Sequence, residues 1–545
     1  MAAVRQGVRT WIFVRGVAAM AIAFLVSSTV HAQANAGDEA GRCASLGNMS
    51  IDGAVIDAAV LTPAGSSTGS ASGQGAAPFA LPRHCLVRGT INRRVGAGGR
   101  SYGIGFELRM PVAWNGRFLF QGGAGLDGVV APAIGAIPNS SQPPALISGF
   151  AVVSTDAGHQ GSPVDASFAV DQQARIDYGY NALDKVTLAA KALVALYYGK
   201  PPRYSYMVGC SNGGRQALTA SQRLPLYFDG IVAGDPTLRF SRVTLAEVSN
   251  LHALARIAPK DAQGQPVYAR AFSDDDLKLV RSAVLKRCDA RDGLSDGFIN
   301  DWRHCDFDPG VLTCKRAKAA SCLSTDQIAV LRDLHRGPRD RNGKALYGAF
   351  NYDTGIASSA WRGMHLGSSQ GKPADATLGL GAFKYLHLTP PDPTFGPETP
   401  IDYEEVIDRL RHTAALTDAD NPLLGSFVGH GKMIVYNGLS DQGLASNVVA
   451  DWYDRMVAAT GPAGRQSVSL FLVPGMLHCG GGEATDRFEM LDAIVSWVEQ
   501  DRAPERIPAS SREFPSIKRP LCPYPTMARY AGGDVNSANS FSCRL

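Results

Sequence analysis

Six short runs of the chain, at 117–121, 150–155, 204–208, 230–233, 433–437 and 468–473, are dominated by apolar residues and bounded by Gly or polar ones. Apolar runs without polar alternation suit strands buried on both faces, as in a parallel sheet covered by helices. Helical stretches lie between them, clearest at 180–198, where Leu183, Val186, Leu188, Ala189, Leu193 and Leu196 recur at roughly helical spacing. Strand and helix alternate, and the pattern predicts an α/β core built on a mostly parallel sheet.

The alternation breaks after Asp235-Pro236 and resumes near Met433. The intervening stretch is rich in Gly, Pro, Cys and charged turns, and we read it as a large lid domain inserted into one sheet. The expected organisation is a first core segment over 33–235, the lid over 236–430, and the second core segment with a C-terminal tail over 431–545. A separate tandem domain is the alternative, but the chemistry below needs residues from both sides of the insertion in one site. The tail from 502 carries six Pro and two Cys and is expected to be pinned to the surface. The Gly/Ser/Ala-rich stretch 64–77 reads as a flexible loop.

At 545 residues the chain can bury a large core. With 45% apolar and 19% charged residues it is neither a coiled coil nor disordered. Residues 1–32 read as an export signal: Arg5, Arg9 and Arg15 precede or flank the apolar run 16–30, and Val30-His31-Ala32 offers a cleavage site. Removing those three Arg from a chain of net charge +4 leaves it nearly neutral, which gives no ground for nucleic-acid binding. The run is shorter than a typical ~20-residue span, so stable membrane insertion is not expected. Ten Cys on an exported chain, with no CxxC pair, favour five disulfides over a zinc site, in a periplasmic or extracellular setting.

The strongest local signal is Gly209-Cys210-Ser211-Asn212-Gly213-Gly214, preceded by a predicted strand and followed by a helix-like run. Strand, tight turn and helix around G-x-S-x-G form the nucleophile elbow of an α/β-hydrolase, with Ser211 as nucleophile. A Ser hydroxyl needs a base to take its proton, and in this fold the chain order is Ser, acid, His. His478, in the loop after the strand at 468–473, is the candidate base. His252, His304, His335, His365, His387, His412 and His430 have no such setting and read as surface or structural. Asp441, after the strand at 433–437, is the candidate acid, placed to fix the imidazole tautomer; Asp418 and Asp420 are less well placed. The oxyanion hole needs two backbone N–H groups. Asn212 is expected to supply one and Gly123 the other, with Ala124 and Gly125 next on the same Gly-rich turn.

Cys210 precedes the nucleophile and Cys479 follows the base, so a disulfide between them would tether the two loops; a buried free Cys210 is the alternative. The remaining Cys would then pair as Cys43–Cys85, Cys288–Cys305, Cys314–Cys322 and Cys522–Cys543. Within the insertion, Cys288-Asp289-Ala290-Arg291-Asp292-Gly293-Leu294-Ser295-Asp296-Gly297-Phe298 concentrates carboxylates between glycines, a hard-oxygen set suited to calcium or else a solvated turn.

Cys210-Ser211, Asp441 and His478-Cys479 resemble the CS-D-HC arrangement of the tannase and feruloyl esterase family. The resemblance extends through 121–128, 154–159 and 228–234. It implies a Cys210–Cys479 disulfide beside the triad. It also implies a structural calcium in the lid, held by the side chains of Asp289, Asp292 and Asp296 and the carbonyls of Leu294 and Phe298, with no cofactor needed for catalysis.

The expected function is a secreted serine esterase that cleaves small aromatic esters, such as feruloyl or galloyl esters, through an acyl-enzyme. The family also contains the hydrolase of mono(2-hydroxyethyl) terephthalate, so that activity or a broader carboxylesterase is the alternative, and a non-catalytic binding module is a rival from another class. Trp361, Phe383, Tyr385 and Leu444 are candidate pocket walls that core packing explains equally well.

Overall fold

The computed structural model describes residues 38–49, 51, 53–66, 79–368 and 370–545. The expected export signal and most of the 64–77 stretch lie outside the described residues. Nine strands form one sheet: β1 (Ala54–Thr62), β2 (His84–Val95), β3 (Ser101–Pro111), β4 (Arg117–Gln121), β5 (Ala151–Thr155), β6 (Tyr204–Cys210), β7 (Gly230–Gly234), β8 (Lys432–Gly438) and β9 (Val468–Val473). Their order across the sheet is β1-β2-β3-β5-β4-β6-β7-β8-β9. From β5 to β9 every neighbour pair is parallel, whereas β1, β2, β3 and β5 pair antiparallel.

The six parallel strands are those the apolar runs predict; the antiparallel β1, β2 and β3 were not read from the sequence. In β2 the inward Cys85, Val87, Gly89 and Ile91 are buried while Arg88 and Asn92 are exposed. A strand covered on one face alternates and leaves no continuous apolar run.

Helix α1 (Ala182–Tyr198) starts two residues later than predicted and buries Leu183, Val186, Ala189, Ala190, Leu193, Val194 and Tyr197. Leu188 and Leu196, expected on the buried face, are about half exposed at 49% and 50%. Small Ala189 and Ala190 take the inner positions, which lets α1 lie close to the sheet. Helices α2 (Asn212–Arg223), α7 (Ser446–Thr460) and α8 (Met490–Gln500), numbered in chain order, complete the layers around the sheet.

Between β7 and β8 the described residues add no strand to the sheet. They form α3 (Phe240–Ala255), α4 (Asp274–Cys288), α5 (Thr325–Arg336) and α6 (Tyr403–Thr417), joined by long turns. Helix α3 is the joint: Phe240, Val243 and Ala246 pack into the main core, while Leu245, Val248 and Leu251 belong to a second core with Phe272, Val280 and Leu331. Tyr347, Ala382 and Leu386 of the insertion also pack into the main core, and Ala419, Leu424 and Phe427 continue it before β8 begins. The tail forms two hairpins, Ile507–Ser510 with Lys518–Leu521 and Met527–Tyr530 with Phe541–Arg544. It reaches the insertion through Arg519, whose guanidinium donates to Asp296 Oδ2 at 2.5 Å. All ten Cys are paired, as Cys43–Cys85, Cys210–Cys479, Cys288–Cys305, Cys314–Cys322 and Cys522–Cys543.

Candidate active site

Strand β6 ends at Cys210 and α2 begins at Asn212, so Ser211 reverses the chain within one residue, at φ 63° and ψ −124°. A left-handed φ costs a side-chain-bearing residue roughly 1–3 kcal/mol and persists only where its surroundings fix it. Here Ser211 N–H donates to the Gly234 carbonyl at 3.0 Å, and Arg215 N–H donates to the Ser211 carbonyl at 2.9 Å. A Cβ on Gly209 would lie 2.5 Å from the Gly213 carbonyl carbon, and one on Gly214 would lie 2.3 Å from the Gly234 oxygen. Backbone meets backbone at both positions, which is why only glycine fits.

The acid and base loops leave the carboxyl ends of β8 and β9, on the same edge as the elbow. The Asp441 carboxylate is fully buried; its Oδ1 accepts the N–H groups of Gly443 and Leu444 at 2.9 Å each. That leaves Oδ2 to accept from His478 Nδ1 at 2.7 Å. An ionised carboxylate only accepts, so Nδ1 carries the proton and Nε2 is left with a free lone pair. Gln442 Oε1 accepts the His478 backbone N–H at 3.3 Å, tying the two loops directly. Burial opposes a charged imidazole, but the charge and hydrogen bond of Asp441 outweigh it and push His478 up to about 9. The Cys210–Cys479 disulfide, with Cα atoms 6.0 Å apart, ties the elbow to the base loop across 269 residues of sequence.

The Gly-rich turn after β4 lies against the elbow: a Cβ on Gly122 would be 2.8 Å from Gly213 Cα. The expected oxyanion donor Gly123 is not free there, because its N–H donates to Gln216 Oε1 at 3.0 Å. Gly122 N–H is likewise spent, on the Val208 carbonyl at 2.8 Å. Among the described residues Ala124, next on the turn, has no hydrogen-bond partner for its N–H. A buried network underlies both turns: Asp127 accepts from Asn212 Nδ2 and from Gln216 Nε2, and Asn212 Oδ1 accepts from Tyr178 and from the fully buried Arg215.

Sequence reasoning missed Asp235, using it only as a domain boundary. It is fully buried at the carboxyl end of β7; Oδ1 accepts the Gly438 N–H at 2.7 Å and Oδ2 accepts the Cys479 N–H at 3.3 Å. A carboxylate at a strand's carboxyl end, beside the elbow, was the available signal. His365, read as structural, pairs through Nδ1 with Asp375 at 2.8 Å, while its Nε2 lies 3.0 Å from the Gln442 carbonyl, so the insertion braces the acid loop. Of the candidate walls, Phe383 is fully buried against Phe395 and is core, whereas Trp361 shares a cavity with Asp441, Asn250, His335 and His365.

In the Asp-rich loop, Asp289 Oδ1 accepts the N–H groups of Asp296 and Gly297, Asp292 accepts from Leu294 N–H and Asn300, and Asp296 pairs with Arg519. Asp292 is buried, and burial with the nearby charge of Asp296 pushes it up to about 6. This is a hard-oxygen set of repelling carboxylates that a divalent cation suits. Among the described residues, however, the side-chain triples that each bring a ligand atom within 4.8 Å lie around Asp235, not in this loop, so the ring is wider than a closed cage.

The model of the family "Tannase and feruloyl esterase" matches residues 87–544. The chain is 38% identical to mono(2-hydroxyethyl) terephthalate hydrolase of Piscinibacter sakaiensis, over 90% of this chain and 88% of that protein. It is 29% identical to a probable feruloyl esterase of Arthroderma benhamiae, over 80% of this chain and 81% of the other. Among solved structures it resembles feruloyl esterase B from Aspergillus oryzae, with TM-score 0.77 and 23% identity over 93% of this chain and 100% of that one. The tannin acyl hydrolase from Aspergillus niger aligns with TM-score 0.68 and 19% identity over 91% and 92%. These two likenesses establish the α/β-hydrolase fold.

A base must be neutral to act. If His478 serves, kcat/KM should rise with pH through one ionisation with its midpoint above the ordinary 6.5 and no higher than about 9. Asp441→Asn removes the stabilising charge, so it should move that midpoint down while lowering kcat by about 10⁴-fold. A profile flat from pH 6 to 10 would exclude His478 as the base.

Proposed function

The chain belongs to the tannase and feruloyl esterase family and is a carboxylic ester hydrolase, and on that footing we propose a serine mechanism carried by Ser211, His478 and Asp441. The observation that carries it is the convergence of three loops at the carboxyl edge of one sheet, with a strained Ser211 at the elbow and the His478–Asp441 hydrogen bond of 2.7 Å beside it.

Ser211 Oγ attacks the ester carbonyl carbon as His478 Nε2 takes its proton, and the imidazolium is held by Asp441. The tetrahedral oxyanion is met by the N–H of Asn212 and, in place of the engaged Gly123, the N–H of Ala124. Collapse expels the alcohol, which takes the proton from His478. Water, deprotonated by His478, then attacks the acyl-Ser211; collapse releases the acid as His478 returns the proton to Ser211 Oγ. The side chains that hold Asn212, namely Asp127, Tyr178 and Arg215, keep the hole in place before substrate arrives.

The substrate class we propose is small aromatic carboxylic esters, with the inserted segment over about 236–430 acting as a lid that carries the acyl pocket. Its support is the chemistry shared by the relatives: terephthalate and ferulate are both aromatic acids. A terephthalate monoester is the second reading, favoured by 38% identity to the Piscinibacter enzyme against 29% to the Arthroderma one. Export is proposed from residues 1–32 and is consistent with five disulfides, which persist in oxidising compartments. No helix among the described residues is long and apolar enough to cross a membrane.

Calcium is proposed as a structural ion on Asp289, Asp292 and Asp296 with the carbonyls of Leu294 and Phe298. When bound it would offset the mutual repulsion of the carboxylates and hold the insertion against the tail at Arg519.

Purified protein should hydrolyse at least one of methyl ferulate, methyl gallate and mono(2-hydroxyethyl) terephthalate far faster than p-nitrophenyl butyrate. Ser211→Ala should lower kcat by about 10⁴-fold or more with the melting temperature unchanged. Full turnover by that variant would remove the mechanism, and preference for the butyrate would remove the aromatic assignment. Metal analysis should find about one calcium per chain, and chelation should lower Tm by several degrees, as a ligand lost from the folded state alone must. Absence of calcium with an unchanged Tm in chelator would remove the ion.

A further inference from the structure

The Asp235 side chain touches all three loops of the candidate site. Through Oδ1 it holds the acid loop at the Gly438 N–H, 2.7 Å away, and through Oδ2 it holds the base loop at the Cys479 N–H, 3.3 Å away. The same Oδ2 lies 3.6 Å from Cys210 Sγ, the residue before the nucleophile. Its backbone is bound in as well: Asp235 N–H donates to the Tyr436 carbonyl at 2.8 Å, and the residue sits at φ 35°, a left-handed conformation rarely held by a side-chain-bearing residue. Such strain persists where surroundings over-determine it, and here they do.

The titratable groups that face Asp235 are Asp441 on the acid loop, His478 on the base loop and the Tyr436 phenol of β8. Ligand atoms of Asp235, Asp441 and His478 lie within 4.8 Å of one another. Two carboxylates this close in a water-excluded site cannot both stay ionised, because the like charge and the lost hydration act in the same direction. Asp441 has two backbone N–H donors and the imidazole N–H, so it is the better-stabilised anion.

Resting on the Ser211–His478–Asp441 reading, we propose that Asp235 is a positioning residue of this site: it is the neutral partner of Asp441, holding the shared proton, so that His478 faces one negative charge and the three loops stay in register. The proton stays on the carboxyl pair throughout turnover; Asp235 takes no part in bond making. A second fixed anion would leave less His478 neutral at rest and would hold its proton back from the leaving alcohol. A neutral carboxyl keeps the loops tied without that penalty.

The test compares Asp235→Asn and Asp235→Ala with wild type and Ser211→Ala, measuring kcat, KM and the pH dependence of kcat/KM on p-nitrophenyl butyrate. The Asn amide is neutral like the protonated carboxyl and its oxygen still accepts from Gly438, giving up only the longer 3.3 Å contact to the Cys479 N–H. Asp235→Asn should therefore keep kcat within about threefold and leave the pH midpoint in place, because no charge has been removed. Asp235→Ala loses both contacts and should lower kcat by about tenfold or more with KM within about twofold. A downward move of the midpoint by about one pH unit in Asp235→Asn would show an ionised Asp235 and overturn the proposal. So would a loss beyond about tenfold in that variant, or wild-type kcat in Asp235→Ala. Should Asp235→Ala fail to fold, Asp235→Asn decides alone. Wild-type turnover by Ser211→Ala would instead bring down the triad reading, and this proposal with it.

Discussion

A strand that ends and a helix that begins on adjoining residues force Ser211 to φ 63° and ψ −124°, and most of what surrounds it exists to hold that turn. The hold is steric before it is chemical. Gly209 and Gly213 pass so closely that no Cβ fits between them, Gly214 presses on the Gly234 carbonyl, and Gly122 presses on Gly213. The turns after β4, β6 and β7 thereby meet backbone to backbone. On the proposed mechanism, that fixes where an attacked carbonyl and its oxyanion lie relative to Ser211.

The remaining parts arrive by topology. Parallel strands present their carboxyl ends on one edge, so β8 and β9, nearly two hundred residues beyond β7, return Asp441 and His478 beside the elbow. The insertion costs the sheet nothing in register, since β7 and β8 still pair over Gly230 to Gly234. It also leaves its mark on the site: His365, backed by Asp375, reaches the Gln442 carbonyl, and Gln442 in turn holds the His478 backbone. The polar contacts therefore run from the insertion to the base without a break.

What was legible in the sequence follows from what each signal depends on. The parallel strands and the elbow were legible because both are local: a continuous apolar run and a glycine-spaced Ser need no knowledge of the fold. The antiparallel β1 to β3 were missed because a strand with one wet face alternates, as Arg88 and Asn92 do against Val87 and Ile91. On α1, spacing put Leu188 and Leu196 inside with Leu183, Val186, Ala189 and Leu193, but the buried face turns instead through Ala190, Val194 and Tyr197. Gly123 looked like an oxyanion donor until Gln216, ninety-three residues away, claimed its N–H. Asp235 carried only its place at the end of β7 as a signal: nothing near it in sequence announces that Gly438 and Cys479 will close on its carboxyl group.

The central claim is that Ser211 carries the acyl group between two half-reactions. The direct measurement is rapid acid quench of the enzyme during turnover of an aromatic ester, followed by peptide mass spectrometry. The account predicts an acyl adduct confined to the peptide that contains Ser211, formed within the first turnover and lost as substrate is exhausted. An adduct on another residue, or steady turnover in a rate-limiting deacylation regime with no adduct at all, would contradict it.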